Sequence, residues 1–188
     1  MAGDRNSTKI DIAFALLILL MCGLLQAEVS RILGNIETKP LSEGNWLLAF
    51  SSYVVSMITP FALAFLVLLV LIYSLRVAGV NFQNSRVFVI VGFSFVPFLL
   101  NSAFLYACFF LFEDNLGIND DTLEIYLTSR IKLSDFRQSG LVASALFIVA
   151  LVYQLSYVEK YLKPILAIAV VCCPLITIYV FTLLFDFF

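Results

Sequence analysis

The chain has 188 residues, of which 62 % are hydrophobic and 13 % charged, with a formal net charge of −2 and no histidine. A soluble domain is typically about 45–50 % apolar and about 25 % charged, and a chain this short cannot hide the surplus inside a globule, so the excess must face lipid. The slight negative charge excludes the basic field that gathers nucleic acid; the lack of histidine removes the commonest general base and metal ligand.

Five apolar segments follow in order, with helices expected at about 10–33, 46–76, 86–112, 135–158 and 164–186. The first holds an uninterrupted apolar core from Ile12 to Leu25, short beside the ~20 residues of a typical crossing. Thr8 with Asp11 three residues on reads as an N-cap and an acidic N3, and the helix is expected to continue through Glu28 and Arg31. A secretory signal peptide competes for this stretch, with Leu25-Gln26-Ala27 as its cleavage site. Asp4 in the positive head and the bulk of Leu25 favour the transmembrane reading.

The second segment is long enough to cross with tilt. Trp46 and Tyr73 suit the interfacial aromatic belt. Pro60 inside it should kink the helix, with Ser51, Ser52, Ser56 and Thr59 placed to re-satisfy backbone groups in lipid. The third has Ser85 as N-cap and carries Pro97 and Asn101. The fourth has Ser134 as N-cap. The fifth opens on Pro164, in the first helical turn, and Pro174 predicts another kink.

Connections are short except for the outer loop 113–134. Within it, Asp121 to Leu133 fits either a short surface helix, with Leu123, Leu127 and Ile131 on one face, or an ordinary solvated loop. The fold class is therefore all-α: a polytopic membrane protein, a bundle of about five transmembrane helices after a short N-terminus of residues 1–9. With the N-terminus inside, Arg5, Lys9, Arg76, Arg86, Lys160 and Lys163 fall on the cytoplasmic side. Arg31, Lys39, Arg130, Lys132 and Arg137 fall outside. The inner loops are the shorter and the denser in cations.

No catalytic constellation stands out. Asp11, Glu28, Arg31 and Asp186 all lie near predicted helix ends, where long side chains reach the interface. No carboxylate sits mid-helix, which removes the usual proton or cation relay. Without histidine, Ser-His and Cys-His pairs are excluded. Cys22, Cys108, Cys172 and Cys173 form no C-x-x-C pair and read as small buried hydrophobes. Asp120 and Asp121 read as solubilising or capping residues. No cofactor and no metal site is expected.

Uncharged polar residues do occur at depth. Ser94, Asn101, Gln154 and Thr177 are candidate polar helix contacts, with Ser102 and Ser144 beside them. Such groups commonly hydrogen-bond between helices, at ~0.6 kcal/mol on average. The alternative is that they line a substrate path. Gly23, Gly92 and Gly140 would allow close helix approach.

The stretch Val80 to Pro97, VNFQNSRVFVIVGFSFVP, resembles the hallmark segment of the Yip family of membrane proteins, in which a short polar-aromatic loop leads into a helix with a Gly-Tyr-x-x-x-Pro type motif. The matching positions are Gly92, Phe93 and Pro97, with Phe93 in place of the usual Tyr. Cys173-Pro174-Leu175 through Tyr179 is similar to the family's last helix, as is the five-helix layout. Eukaryotic members carry a long cytosolic N-terminal region with an Asp-Leu-Tyr-Gly-Pro type motif, which is missing ahead of the first helix here and puts Rab GTPase binding in doubt. The shortness looks more like bacterial relatives, some of which accompany export machinery of the ABC type.

The resemblance implies a non-enzymatic scaffold or accessory subunit in membrane organisation, trafficking or export. Its partners would be the lipid bilayer and another membrane protein or a second copy, with no nucleic acid. Its place would be the bacterial cytoplasmic membrane, or alternatively the eukaryotic ER or Golgi membrane, with the N-terminus cytoplasmic. The other reading is a small transporter or channel subunit whose proline-kinked helices open a midplane cavity.

Overall fold

The computed structural model describes the backbone at residues 2–37, 45–111, 117–119, 124–128, 131–132 and 137–172, with side chains at 9–32, 50–111 and 138–172. The chain folds as a helical bundle. Helices α1 (Ala2–Glu37), α2 (Asn45–Val77), α3 (Asn84–Ser94), α4 (Val96–Leu111) and α5 (Arg137–Tyr153) follow in order. A sixth, α6, starts at 164 and is described to 172.

Four spans among the described residues are long and apolar enough to cross a membrane: Lys9–Ile32, Phe50–Val77, Asn84–Leu111 and Gln138–Val158. They show lipid-facing stripes. Ile10, Phe14, Leu17 and Met21 are exposed on α1, and Leu141, Val149 and Tyr153 on α5. In water such stripes would drive aggregation; in a bilayer they are the solvated face.

Helix α1 has 36 residues, about 54 Å at 1.5 Å per residue, against a hydrocarbon core of ~30 Å. It therefore outruns its apolar span at both ends. The expected N-cap at Thr8 is not formed, because the helix starts at Ala2 and Thr8 is interior. Nor does Ser85 cap α3. That role falls to Gln83, which is extended and makes no side-chain cap bond.

Helix α1 lies against α2, α3 and α4. Its buried Ala15, Leu19 and Cys22 recur at helical spacing and form one stripe. Small residues set the approach. A Cβ on Gly92 of α3 would meet Ala15 Cβ, with Ala15 Cα only 3.0 Å away. A Cβ on Gly23 would meet the carbonyl of Met57 on α2. Gly140 differs from the expectation: among the described residues nothing lies within 4 Å of its would-be Cβ.

The third crossing is broken. Phe95 leaves the helical pattern, and its N–H bonds Gly92 O at 3.1 Å. Pro97 has no N–H to return to Phe93 O, so the ladder cannot close across this point. Helix α2, by contrast, keeps a helical backbone through Pro60. There Thr59 Oγ1 donates to Val55 O at 2.7 Å.

Around the break sits an aromatic cluster. Phe95 meets Phe147 of α5 edge-on at 5.1 Å, and Phe98 at 5.5 Å. Phe98 and Phe147 close the triangle at 5.3 Å. The core continues through Leu71, Leu75, Val87, Ile90, Leu155 and Leu162.

Two tight reversals shape one edge. Helix α2 ends in a Schellman motif: Val80 N bonds Leu75 O and Gly79 N bonds Arg76 O, both at 3.0 Å. Gly79 takes φ +69°, as the position requires. Helix α5 ends instead in a π-helical turn, Gln154–Val158. Lys160 follows at φ 54°, the left-handed region usually left to glycine. The chain then enters α6 with Pro164 at its first position, as expected.

Over the expected stretch the described residues of the outer loop, 124–128 and 131–132, are strand rather than helix. Strands β1 (Gly117–Asn119), β2 (Glu124–Thr128) and β3 (Ile131–Lys132) form a small antiparallel meander, with Gly117 opposite Tyr126 and Tyr126 opposite Lys132. The surface-helix reading of Asp121 to Leu133 is corrected. Ile125, Tyr126, Thr128 and Ile131 are strand formers, and that outweighs the weak four-residue apolar spacing.

Candidate functional site

Polar chemistry gathers at the two membrane edges. At one edge Arg86, in the first turn of α3, reaches two carboxylates. Its Nη1 lies 3.5 Å from Asp11 Oδ2 on α1 and 3.9 Å from Glu159 Oε1 just past the π turn. One guanidinium thus ties three chain segments together. Tyr161 lies beside it, near the backbone of Gln83. Its phenol is raised above the ordinary value, first by burial and then by the Glu159 charge; Arg86 and the Gln83 backbone act the other way. This edge also carries exposed Lys9, Arg76, Lys160 and Lys163.

At the opposite edge Glu28 accepts from Arg31 Nε at 2.8 Å and from Tyr53 OH at 3.4 Å. Ser30 and Ser52 bond each other at 2.8 Å. These contacts fasten α1 to α2. The Glu28–Arg31 pair is well exposed, with side chains 34 % and 51 % accessible, so it adds little stability. It orients rather than binds.

Inside, the buried serines Ser94, Ser102 and Ser156 are treated differently, and Ser156 Oγ has no hydrogen-bond partner among the described residues. Ser94 is fully buried, and its hydroxyl donates to Ile90 O of its own helix at 2.8 Å. Ser144 does the same to Gly140 O at 2.8 Å. Neither makes the expected bond between helices. Such a back-bond satisfies a hydroxyl where no water is present. Ser102 instead lies near Cys22 of α1.

The three candidate polar contacts among the described residues, Ser94, Asn101 and Gln154, do not meet in one place. Asn101 is half-buried and lines an α4–α5 groove of ≈ 370 Å³ with Pro97, Phe104, Ser139 and Leu146. Gln154 is half-buried at the start of the π turn, two helical turns beyond Leu146. Ser94 is closed off by its bond to Ile90. Thr177 and Pro174 lie outside the described residues, as do Cys173, Asp186, Asp120, Asp121 and Ser134. Of the structural motif, Gly92 and Pro97 act as their residue types predict. Phe93 is half-buried beside the break.

A second cavity, ≈ 130 Å³, lies between α2, α5 and α6. Leu63, Val67 and Leu71 wall it from α2, Phe147 and Leu151 from α5, and Val171 from α6. Its lining is wholly aliphatic and aromatic. Sequence reading missed this cavity and the Arg86 triad. The triad had a signal: Asp11, Arg86 and Glu159 all fall at the same predicted edge. The cavity had none, since it depends on how three apolar helices are spaced.

Among the described residues no three His, Cys, Asp or Glu side chains are grouped to hold a metal ion. The arrangement that is present can pack helices and bear charge at the ends of the apolar spans. No protein-family model, curated protein or solved structure matches this chain.

Proposed function

We propose that this protein is a non-enzymatic membrane scaffold or accessory subunit, acting through helix packing in membrane organisation, trafficking or export. The observation that carries this reading is that hydroxyls and rings between the helices serve packing. Ser94 and Ser144 bond their own helix backbones, and the interior between helices is filled by Phe95, Phe98 and Phe147. The surface left for partners is the lipid-facing apolar one. There association rests on shape and close packing rather than on hydrophobic transfer.

The Yip-type reading belongs with this proposal. Gly92 supplies the close approach to α1 and Pro97 the broken crossing, both structural roles. The orientation is proposed as N-terminus cytoplasmic, in a bacterial cytoplasmic membrane. The exposed lysines and arginines at the Arg86 edge support that side. A transporter would need Ser94, Asn101, Gln154 and Thr177 around one cavity; the separation of the first three favours the scaffold.

Affinity purification of the tagged chain from its native host, with photo-crosslinkers at lipid-facing Val149 and Tyr153, tests the proposal. A stoichiometric larger membrane partner crosslinked through those positions is expected. Recovery of the chain alone, with substrate flux after reconstitution, would overturn it.

A further inference from the structure

The apolar cavity between α2, α5 and α6 is bordered by Leu63 and Leu66, which are 39 % and 49 % exposed on the apolar face of α2. Its ≈ 130 Å³ is close to the roughly 150 Å³ at which an apolar protein cavity stays dry and takes up a six-carbon apolar molecule. Water has no polar partner there.

The depth of the cavity is fixed by its lining. Val170 lies two helical turns beyond Lys163 on the same face of α6, about 10 Å at 1.5 Å per residue. Leu151 lies a similar distance below Val158, where the α5 span ends. The cavity therefore begins about 10 Å below the edge and runs toward the midplane, the depth of the middle of an acyl chain.

Charge at the mouth selects the headgroup. Lys160 and Lys163 are both exposed, and neither has an ion-pair partner among the described residues. The two nearby carboxylates, Asp11 and Glu159, face Arg86. Lysines held this close to a membrane surface attract anionic lipid. Lys160 takes a left-handed backbone, φ 54°, just after the π turn.

We infer that this site binds one anionic phospholipid, with a segment of one acyl chain in the α2–α5–α6 cavity and the phosphate at Lys160 and Lys163. This site is independent of the scaffold reading and would serve a transporter equally.

The test uses the full chain reconstituted in nanodiscs of equal phosphatidylglycerol and phosphatidylcholine, released into mild detergent and weighed by native mass spectrometry. The wild type is expected to retain one phosphatidylglycerol with a preference on the order of tenfold over phosphatidylcholine. Lys160→Gln/Lys163→Gln should keep the lipid count but bring the preference to about one to one. Val67→Phe, which fills the cavity, should lose both lipids several-fold. Leu66→Trp, at a half-exposed lining position, serves the same purpose if Val67→Phe does not fold. In detergent, phosphatidylglycerol should raise the wild-type Tm and inorganic phosphate should not. Equal retention of both lipids by the wild type would overturn the inference. So would unchanged retention in a folded cavity-filling variant, or a Tm shift reproduced by phosphate alone.

Discussion

One substitution made at two glycines should give opposite signs. In a helix interior Gly→Ala normally gains about 1 kcal/mol, because alanine loses less backbone entropy on folding. At Gly140 nothing among the described residues lies within 4 Å of the added Cβ. Gly140→Ala should therefore stabilise by about 0.5–1 kcal/mol, somewhat reduced by its place in the first turn of α5. At Gly92 the same Cβ meets Ala15 Cβ on α1, with Ala15 Cα at 3.0 Å. Neither atom can swing away, so the helices must separate. Overpacking of this kind costs about 1–3 kcal/mol. Taking the upper end against the propensity gain, Gly92→Ala should destabilise by about 2 kcal/mol. Equilibrium unfolding in mixed micelles, titrated with a denaturing detergent, reads both values. Ala15→Gly combined with Gly92→Ala should recover most of the loss, since it removes the atom that is struck. If the two single variants move stability in the same direction, or Ala15→Gly gives no recovery, the α1–α3 contact is not as described.

Other consequences can be checked on the same preparation. Phe95→Ala removes a side chain that is 1 % exposed and opens the triangle with Phe98 and Phe147. In a bilayer the transfer gain is absent and only packing is lost, so the expected cost is about 2 kcal/mol, below the 3–5 kcal/mol of a soluble core. Ser94→Ala should change stability by less than about 1 kcal/mol, because the hydroxyl only back-bonds Ile90 O; a larger loss would reveal a bond between helices. Tyr161, raised above its ordinary 10.0 in the fold, holds its proton more tightly folded than unfolded. Its contribution is complete below about pH 10 and falls as pH climbs through the raised value. Alkaline unfolding between pH 9 and 11.5 should therefore be shallower in Tyr161→Phe, and coincident curves would refute that role.

Much of the architecture was legible because lipid imposes a simple rule. Backbone groups in hydrocarbon must bond internally, so long apolar runs become helices. Residues 46–76 were predicted helical and the helix spans Asn45–Val77. Pro97 was expected to disturb the third crossing, and the break falls at Phe95, as the missing proline N–H dictates. Helix starts were less readable: at Thr8 and Ser85 good capping residues were present, but the helix continued upstream of both. The outer loop misled for a different reason. Leu123, Leu127 and Ile131 have helical spacing, whereas the β-branched and aromatic residues among them pair as strands outside the membrane, where hydrogen bonding to a neighbouring strand is available.

Composition and hydropathy by themselves determined that the chain is a helical membrane bundle and roughly where its first four crossings lie, since burial in lipid depends on local sequence alone. Only the tertiary structure decided which small residue receives a neighbour. Gly92 meets Ala15 and Gly140 meets no described residue, although both sit in apolar helices. It also decided that Arg86 gathers Asp11 and Glu159 from distant parts of the chain, and that three aliphatic faces leave a gap between α2, α5 and α6. Each of these depends on the relative rotation and spacing of helices, quantities that periodicity within one helix does not encode.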